Sequence, residues 1–187
     1  MDRLAEMRRL LAASRTRFDR ARFFGKVLKA SRAVNLVKPT RLVQLVKDVR
    51  QTPIGPHVAV MFHAAAHPDK EALVEYSGTA IRRLTWGELD ATVNRVANAL
   101  VARGVAGGSR VGLMLPNGSD YLIAQQALAR LGATAGQIGS RLKPGEIAFI
   151  LGNAEPVATI VHGEYLATMR EARATRSENG PLLVIDS

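Results

Sequence analysis

Apolar positions along this chain follow two patterns, a helical period near 3.6 and short continuous runs, and the switches between them predict its elements. Leu4, Met7, Leu11, Phe18 and Ala21 recur at helical spacing, and Leu42, Leu45, Val46 and Val49 fall on one face of a second helix. Pro39 and Thr40 mark the start of that second helix, with Thr40 placed to cap it, while Gly25 interrupts the first. Pro53, Gly55 and Pro56 then form a turn-rich junction. It divides the chain into a basic amphipathic helical arm, residues 1–52, and a globular body, residues 53–187.

The body opens with a short helix in VAVMFHAAAH, stopped by Pro68. ALVEY at 72–76 and AIRRLT at 80–85 read as two strands of a hairpin around Ser77-Gly78-Thr79. Thr85-Trp86-Gly87-Glu88 is a capping box, and Leu89, Val93, Val96, Ala97 and Leu100 continue it as a helix that Gly104 stops. RVGLMLP at 110–116 is nearly all apolar, as a strand covered on both faces requires. Ser119 is placed to cap a helix running to Leu131, which Gly132 ends. A Gly-containing strand at 133–139 follows, then a helix with Pro144 in its first turn and Glu146 at its positive end. VATIV at 157–161, a helix over 164–174 and LLVID at 182–186 complete the series. Strands and helices thus alternate with short connections, which predicts an α/β fold with a parallel sheet flanked by helices.

Charge changes this picture only at the N-terminal end. Residues 1–50 carry 14 Lys/Arg against 4 Asp/Glu, and residues 51–187 carry 12 of each, so the whole net charge of +10 sits on the arm. An apolar stripe flanked by cations suits an anionic membrane surface, with Phe23, Phe24, Val27 and Leu28 inserted and Arg22, Lys26 and Lys29 at the headgroups. The alternative is that the stripe packs on the body and the charges are solvated. A nucleic-acid arm is disfavoured, because no aromatic-basic interleaving accompanies the charge. There are no cysteines, which excludes disulfides and thiolate chemistry and fits a reducing compartment. No run of about 20 apolar residues predicts a membrane-spanning helix. The Arg-rich start imitates a transit peptide, but Asp2, Glu6 and Asp19 are foreign to one. The expected location is cytoplasmic, peripheral at the inner membrane face.

From Leu84 to Val161, the segment LTWGELDATVNRVANALVARGVAGGSRVGLMLPNGSDYLIAQQALARLGATAGQIGSRLKPGEIAFILGNAEPVATIV resembles the N-terminal part of the adenylate-forming superfamily, and FHAAAHPDKEALVEY resembles its opening element. The basic lead-in is similar to that of long-chain and very-long-chain fatty acid–CoA ligases and fatty-acid transport proteins. The resemblance implies part of the N-terminal domain of the adenylate-forming fold. It also implies, for a full-length member, ATP, Mg and coenzyme A as cofactors, with a carboxylic acid activated to an acyl-adenylate and passed to coenzyme A. That chemistry uses a phosphate loop of the type T-S-G-T-T-G-x-P-K, an adenine clamp, an acidic residue for the ribose and a lysine on a C-terminal lid. None is found in these 187 residues, so the chain is expected to hold no cofactor, to be inactive alone, and to have the remaining part of the ligase as its partner. Two departures stand out: Ser109 replaces a frequent Asp, and Gln137-Ile138-Gly139-Ser140 replaces a Pro-x-Asn pattern before Arg141-Leu142. The alternatives to a ligase fragment are a non-catalytic interaction module derived from the family and a basic membrane-surface or nucleic-acid-binding protein.

No other motif outweighs its ordinary structural explanation. Gly104, Gly107 and Gly108 follow a helix and precede a strand, the reverse of a phosphate loop, and read as a turn. His63 and His67 are four apart, but no third metal ligand accompanies them. Ser77 lacks the pattern of a nucleophile elbow, and Trp86 beside the capping box reads as a core or staple residue. The carboxylates Glu75, Glu88, Asp90 and Asp120 form no acid–base pair by spacing. The sequence therefore predicts no catalytic, cofactor-binding or metal residue in this chain.

Overall fold

A computed structural model describes residues 37, 39–53, 55–174 and 180–186. The first predicted helix, Gly25 and the membrane-contact set Arg22, Phe23, Phe24, Lys26, Val27, Leu28 and Lys29 lie outside them.

The described elements are α1 (Pro39–Gln51), α2 (His57–Ala66), the hairpin β1 (Glu71–Ser77) and β2 (Ala80–Thr85), and α3 (Trp86–Val101). Then come β3 (Arg110–Met114), α4 (Ser119–Leu131), β4 (Thr134–Gln137), α5 (Pro144–Ala154), β5 (Ala158–His162), α6 (Leu166–Ala174) and β6 (Leu182–Ile185). β3, β4, β5 and β6 form one parallel sheet in the order β4-β3-β5-β6. The hairpin is a separate antiparallel pair with a register shift between Glu71 and Leu73.

The predicted alternation holds because the two central strands, β3 and β5, are apolar enough to be covered on both faces. β3 and β5 are buried along almost their whole length, which places them at the centre of the sheet. On one face, Leu89, Val93, Ala97 and Leu100 of α3 and Ile123, Ala127 and Leu128 of α4 close over Val111, Leu113 and Ile160. On the other, Ile147 and Leu151 of α5 and Met169 and Ala172 of α6 pack on Met114 and Val161. Burying a side chain the size of Leu128 removes about 1.5–3 kcal/mol of apolar exposure, so these two layers dominate stability. A smaller cluster of Leu45 and Val49 from α1 with Met61 from α2 joins α1 to the body.

Local signals act as expected at several helix ends. The Thr85 hydroxyl accepts from the Glu88 N–H at 3.2 Å, and the Glu88 carboxylate accepts from the Thr85 N–H at 2.9 Å. Glu146 likewise accepts from the Lys143 N–H at 2.8 Å at the start of α5. Gly132 ends α4 with φ of 72°, a left-handed conformation in which any Cβ would also meet the Pro53 ring at 2.8 Å. Three local expectations differ. Thr40 does not cap α1, which already begins at Pro39 and has Thr40 as its second residue. Ser119 does not cap α4: it is the first helical residue, its hydroxyl is engaged elsewhere, and Gly118 precedes it without a side-chain cap. The helix after the junction ends at Ala66, so His67 leaves the helix on which His63 sits.

Candidate functional site

The strand order decides where a site can form. From β3 the chain crosses through α4 to β4 on one side, and from β5 it crosses through α6 to β6 on the other. Connections that diverge in this way open a crevice beyond the carboxyl ends of the central strands, where open α/β sheets bind their ligands. A crevice of about 410 Å3 lies at the same carboxyl edge but to one side of that divergence, between the ends of β3 and β4 and with no β5 residue in its lining. Its walls are apolar at Leu113, Leu115 and Ile138, and its polar groups are Asn117, Tyr121, Gln137 and Ser140. It contains amide, hydroxyl and phenol groups but no carboxylate, imidazole, lysine or arginine. The crevice can therefore orient a ligand by hydrogen bonds, and it has no group suited to acid–base catalysis near neutral pH.

The loop that forms one lip of this crevice, Pro116 to Gly118, is held from outside the sheet. Glu75, near the end of β1, accepts from the Ser119 N–H at 3.0 Å and from its hydroxyl at 2.5 Å. Arg82, its cross-strand partner in β2, donates to the Ser119 hydroxyl at 2.7 Å and to Asp120 at 2.9 Å. Glu75 approaches so closely that a Cβ on Gly118 would collide with its Oε1. A carboxylate at the positive end of α4 satisfies orphan N–H groups there and is favoured by the helix dipole. The hairpin thus clamps the turn after β3.

A second polar group sits toward the other end of α4. Arg130, only 7% exposed, donates through Nη2 to Asp90 at 2.8 Å and through Nη1 to Asn94, both on α3. His57, at the start of α2, is wholly buried, and neither ring nitrogen has a hydrogen-bond partner. Burial pushes its pKa down to about 4, the Arg130 charge adds to that, and the Pro53 carbonyl and Asp90 oppose it. The Pro53 carbonyl faces the ring without hydrogen-bond geometry, so it acts on the charge rather than as a partner.

The residues singled out in the sequence are now placed. Gly104 and Gly108 adopt φ of 86° and 83° in the turn between α3 and β3, as a turn requires. Ser109, one of the two departures from the family pattern, closes that turn by accepting from the Ala106 N–H at 3.0 Å. The other departure, Gln137 to Ser140, lines the crevice itself. His63 stacks on Trp86 with ring centroids 4.6 Å apart, and Trp86 packs at the edge of the main core. Among the described residues no group of three His, Asp or Glu side chains is arranged to hold a metal ion, and no helix is long and apolar enough to cross a membrane. The spacing of Glu75, Glu88, Asp90 and Asp120 predicts no acid–base pair among these carboxylates, and it says nothing of their partners in the fold. The structure pairs Asp90 with Arg130 and Asp120 with Arg82, and sets Glu75 on Ser119. These contacts span 38 to 44 residues, and no local signal announces them.

Comparison with known proteins gives a consistent picture. Residues 61–187 match the family described as AMP-binding enzyme. A long-chain-fatty-acid–CoA ligase, FadD13, of Mycobacterium tuberculosis is 37% identical over 91 residues, covering 49% of this chain and 18% of that protein. A crotonobetaine/carnitine–CoA ligase of Salmonella paratyphi B is 30% identical over 115 residues, covering 61% of this chain and 22% of that one. The solved N-terminal domain of FACL13 from Mycobacterium tuberculosis superposes with a TM-score of 0.63 at 27% identity, over 69% of this chain and 33% of that domain. The chain spans about a fifth of the length of the curated relatives it matches.

Proposed function

Because this chain belongs to the AMP-binding enzyme family, we propose that it is the N-terminal part of a fatty acid–CoA ligase, contributing a substrate-facing wall rather than the reacting groups. In the complete reaction a carboxylate attacks the α-phosphorus of ATP and expels pyrophosphate. The thiol of coenzyme A then attacks the acyl carbon and expels AMP. The observation that carries this reading is the coincidence of the family match over residues 61–187 with an uncharged crevice at the carboxyl edge of the sheet. Asn117, Gln137 and Ser140 would orient a bound group there, and Glu75 and Arg82 would fix the lip that carries Asn117.

The residues present do not fit ATP and Mg. The 187 residues contain no Gly-rich phosphate loop with its lysine. The β3–α4 junction, where a phosphate would meet helix N–H groups, already carries the Glu75 carboxylate, which repels an anion. The nucleotide and metal contacts are therefore assigned to the remaining part of the ligase, as this chain's partner. The half-covered edge strand β6, with Val184 exposed, supports such a junction.

An antibody against residues 53–187 should detect, in source cells, a product far heavier than this chain's 20.2 kDa. A single band at 20.2 kDa would overturn the reading and favour a non-catalytic module derived from the family. The concentration of all net positive charge in residues 1–50 supports a further role for the arm at an anionic membrane. Its contact set is Arg22, Phe23, Phe24, Lys26, Val27, Leu28 and Lys29. Co-sedimentation with vesicles containing phosphatidylserine, lost when residues 1–36 are deleted, is the expected result. Equal sedimentation of the deleted form would contradict it.

A further inference from the structure

The two edges of the parallel sheet are built differently. β4, at one edge, reads Thr134-Ala135-Gly136-Gln137, with exposed polar residues at both ends and a glycine between them, which suits a strand that stays an edge. β6, at the other, reads Leu182-Leu183-Val184-Ile185, a continuous apolar run like the buried stretch of β3, which has a strand on either side. Among the described residues β6 has a neighbour on one side only. The Thr159 N–H of β5 donates to the Pro181 carbonyl at 3.0 Å, and Leu182 is its register partner. In a parallel pair that phase points the N–H and C=O groups of Leu183 and Ile185 toward β5, and those of Leu182 and Val184 away from it. Leu183 and Ile185 put their side chains on the α3/α4 face, and Leu182 puts its own on the α5/α6 face. By alternation Val184 shares the face of Leu182, and it is 43% exposed, so α6 covers the start of the strand and not its later part.

The hand of the connections decides from which face cover can come. The crossovers that move toward β6, from β4 through α5 to β5 and from β5 through α6 to β6, carry their helices on one face. The crossover that moves toward β4 carries α4 on the other, as connections of a single hand require. A further strand beyond β6, reached by a connection of that hand, brings its helix onto the α5/α6 face, where Val184 is open. We propose that the remaining part of the ligase adds a parallel, apolar strand to the outer edge of β6 and lays a helix of its own over Val184. This inference rests on the reading of the chain as part of a ligase. The matched stretch is 18% and 22% of the two curated ligases compared above, so such an enzyme has ample sequence for both elements. A second copy of this chain is a poorer occupant. A twofold pair would join β6 to β6 antiparallel over four residues, and would bring no helix that its own sheet does not already use.

The test compares hydrogen exchange, read by mass spectrometry, in the isolated 187-residue chain and in the native product purified from source cells with the antibody against residues 53–187. The Leu182 and Val184 amides should exchange nearly as fast as a free peptide in the isolated chain, and roughly a hundredfold slower in the native product. Residues 134–137, on the other edge, should exchange alike in both. Val184→Lys places a charge on the open face. It should leave the thermal midpoint of the isolated chain unchanged and cut the yield of soluble native product, whereas Thr134→Lys should do neither. A native product far heavier than 20.2 kDa whose residues 182–185 exchange as in the isolated chain would overturn the inference and leave the ligase reading standing. Slow exchange already in the isolated chain would overturn it too, and a mass near twice 20.2 kDa would identify a second copy as the cover. A native product of 20.2 kDa would overturn the reading and the inference together.

Discussion

The two ends of α4 pose the same problem and solve it differently. At the N-terminal end, Ser119 and Asp120 meet Glu75 and Arg82 of the hairpin, and the Arg82 and Asp120 side chains remain 40% and 25% exposed. Toward the C-terminal end, Arg130 is buried against Asp90 and Asn94 of α3, with His57 enclosed nearby. Charges at the first end keep contact with water, so their attraction is screened and their loss is tolerable. At the second end a guanidinium has left water almost completely, and removing its partner or the group itself leaves an uncompensated charge or a void. The first end therefore serves the shape of a crevice lip, and the second serves the integrity of the helix layer.

This contrast can be broken or sharpened by substitution. Arg130→Ala strands Asp90 and opens a hole between α3 and α4, and should cost about 3–5 kcal/mol in chemical denaturation. A cost under about 1 kcal/mol would mean that the buried end behaves like the exposed one. Acid should act at the same end. His57 is neutral in the fold with a pKa near 4, below its ordinary value of 6.5, so the unfolded chain binds more protons in between. Stability is then fully present above pH 6.5 and falls as pH drops toward 4, by up to tenfold in the unfolding constant per pH unit and roughly 3 kcal/mol in all. His57→Leu should flatten that limb and be near neutral at pH 7, because neither ring nitrogen has a partner to lose. An unchanged acid limb in that variant would shift the cause to other groups.

At the exposed end, Glu75→Ala removes the acceptor for the Ser119 N–H and hydroxyl and should cost about 1–3 kcal/mol. Its backbone amide signals should move at Asn117 and Gly118, on the crevice lip. Asp120→Asn breaks only the pair with Arg82 and should cost about 0–1 kcal/mol, less in high salt. A loss from Asp120→Asn equal to that from Glu75→Ala would mean that the ion pair, not the helix-end carboxylate, holds the clamp.

What the sequence makes legible is what acts within one or two turns of chain. The capping box at Thr85 and Glu88, the apolar runs of β3 and β5, and the glycine at 132 each carry their own local cause, and from them the alternating fold follows. Strand order is different in kind. That β4 pairs beside β3 is a tertiary fact, and the crevice between their carboxyl ends exists because of it. The same holds for Glu75 with Ser119 and for Arg130 with Asp90, whose partners lie 44 and 40 residues away. Ser119 shows how a local rule is overridden. A serine before a helix is a good cap, but here the hydroxyl has a carboxylate and a guanidinium within reach, and both bind it more strongly than a backbone N–H does. The family resemblance was legible from the ordered set of segments, and the positions where this chain departs from it turn out to close a turn and to line the crevice.

The central claim is that this chain supplies a wall of a ligase site and none of its reacting groups. The purified 187-residue protein, incubated with ATP, Mg and a long-chain fatty acid, tests it by mass spectrometry of the acyl-adenylate. The account predicts none above the level without protein. Acyl-adenylate formed in proportion to this chain would contradict it, and would place a phosphate-handling group within these 187 residues.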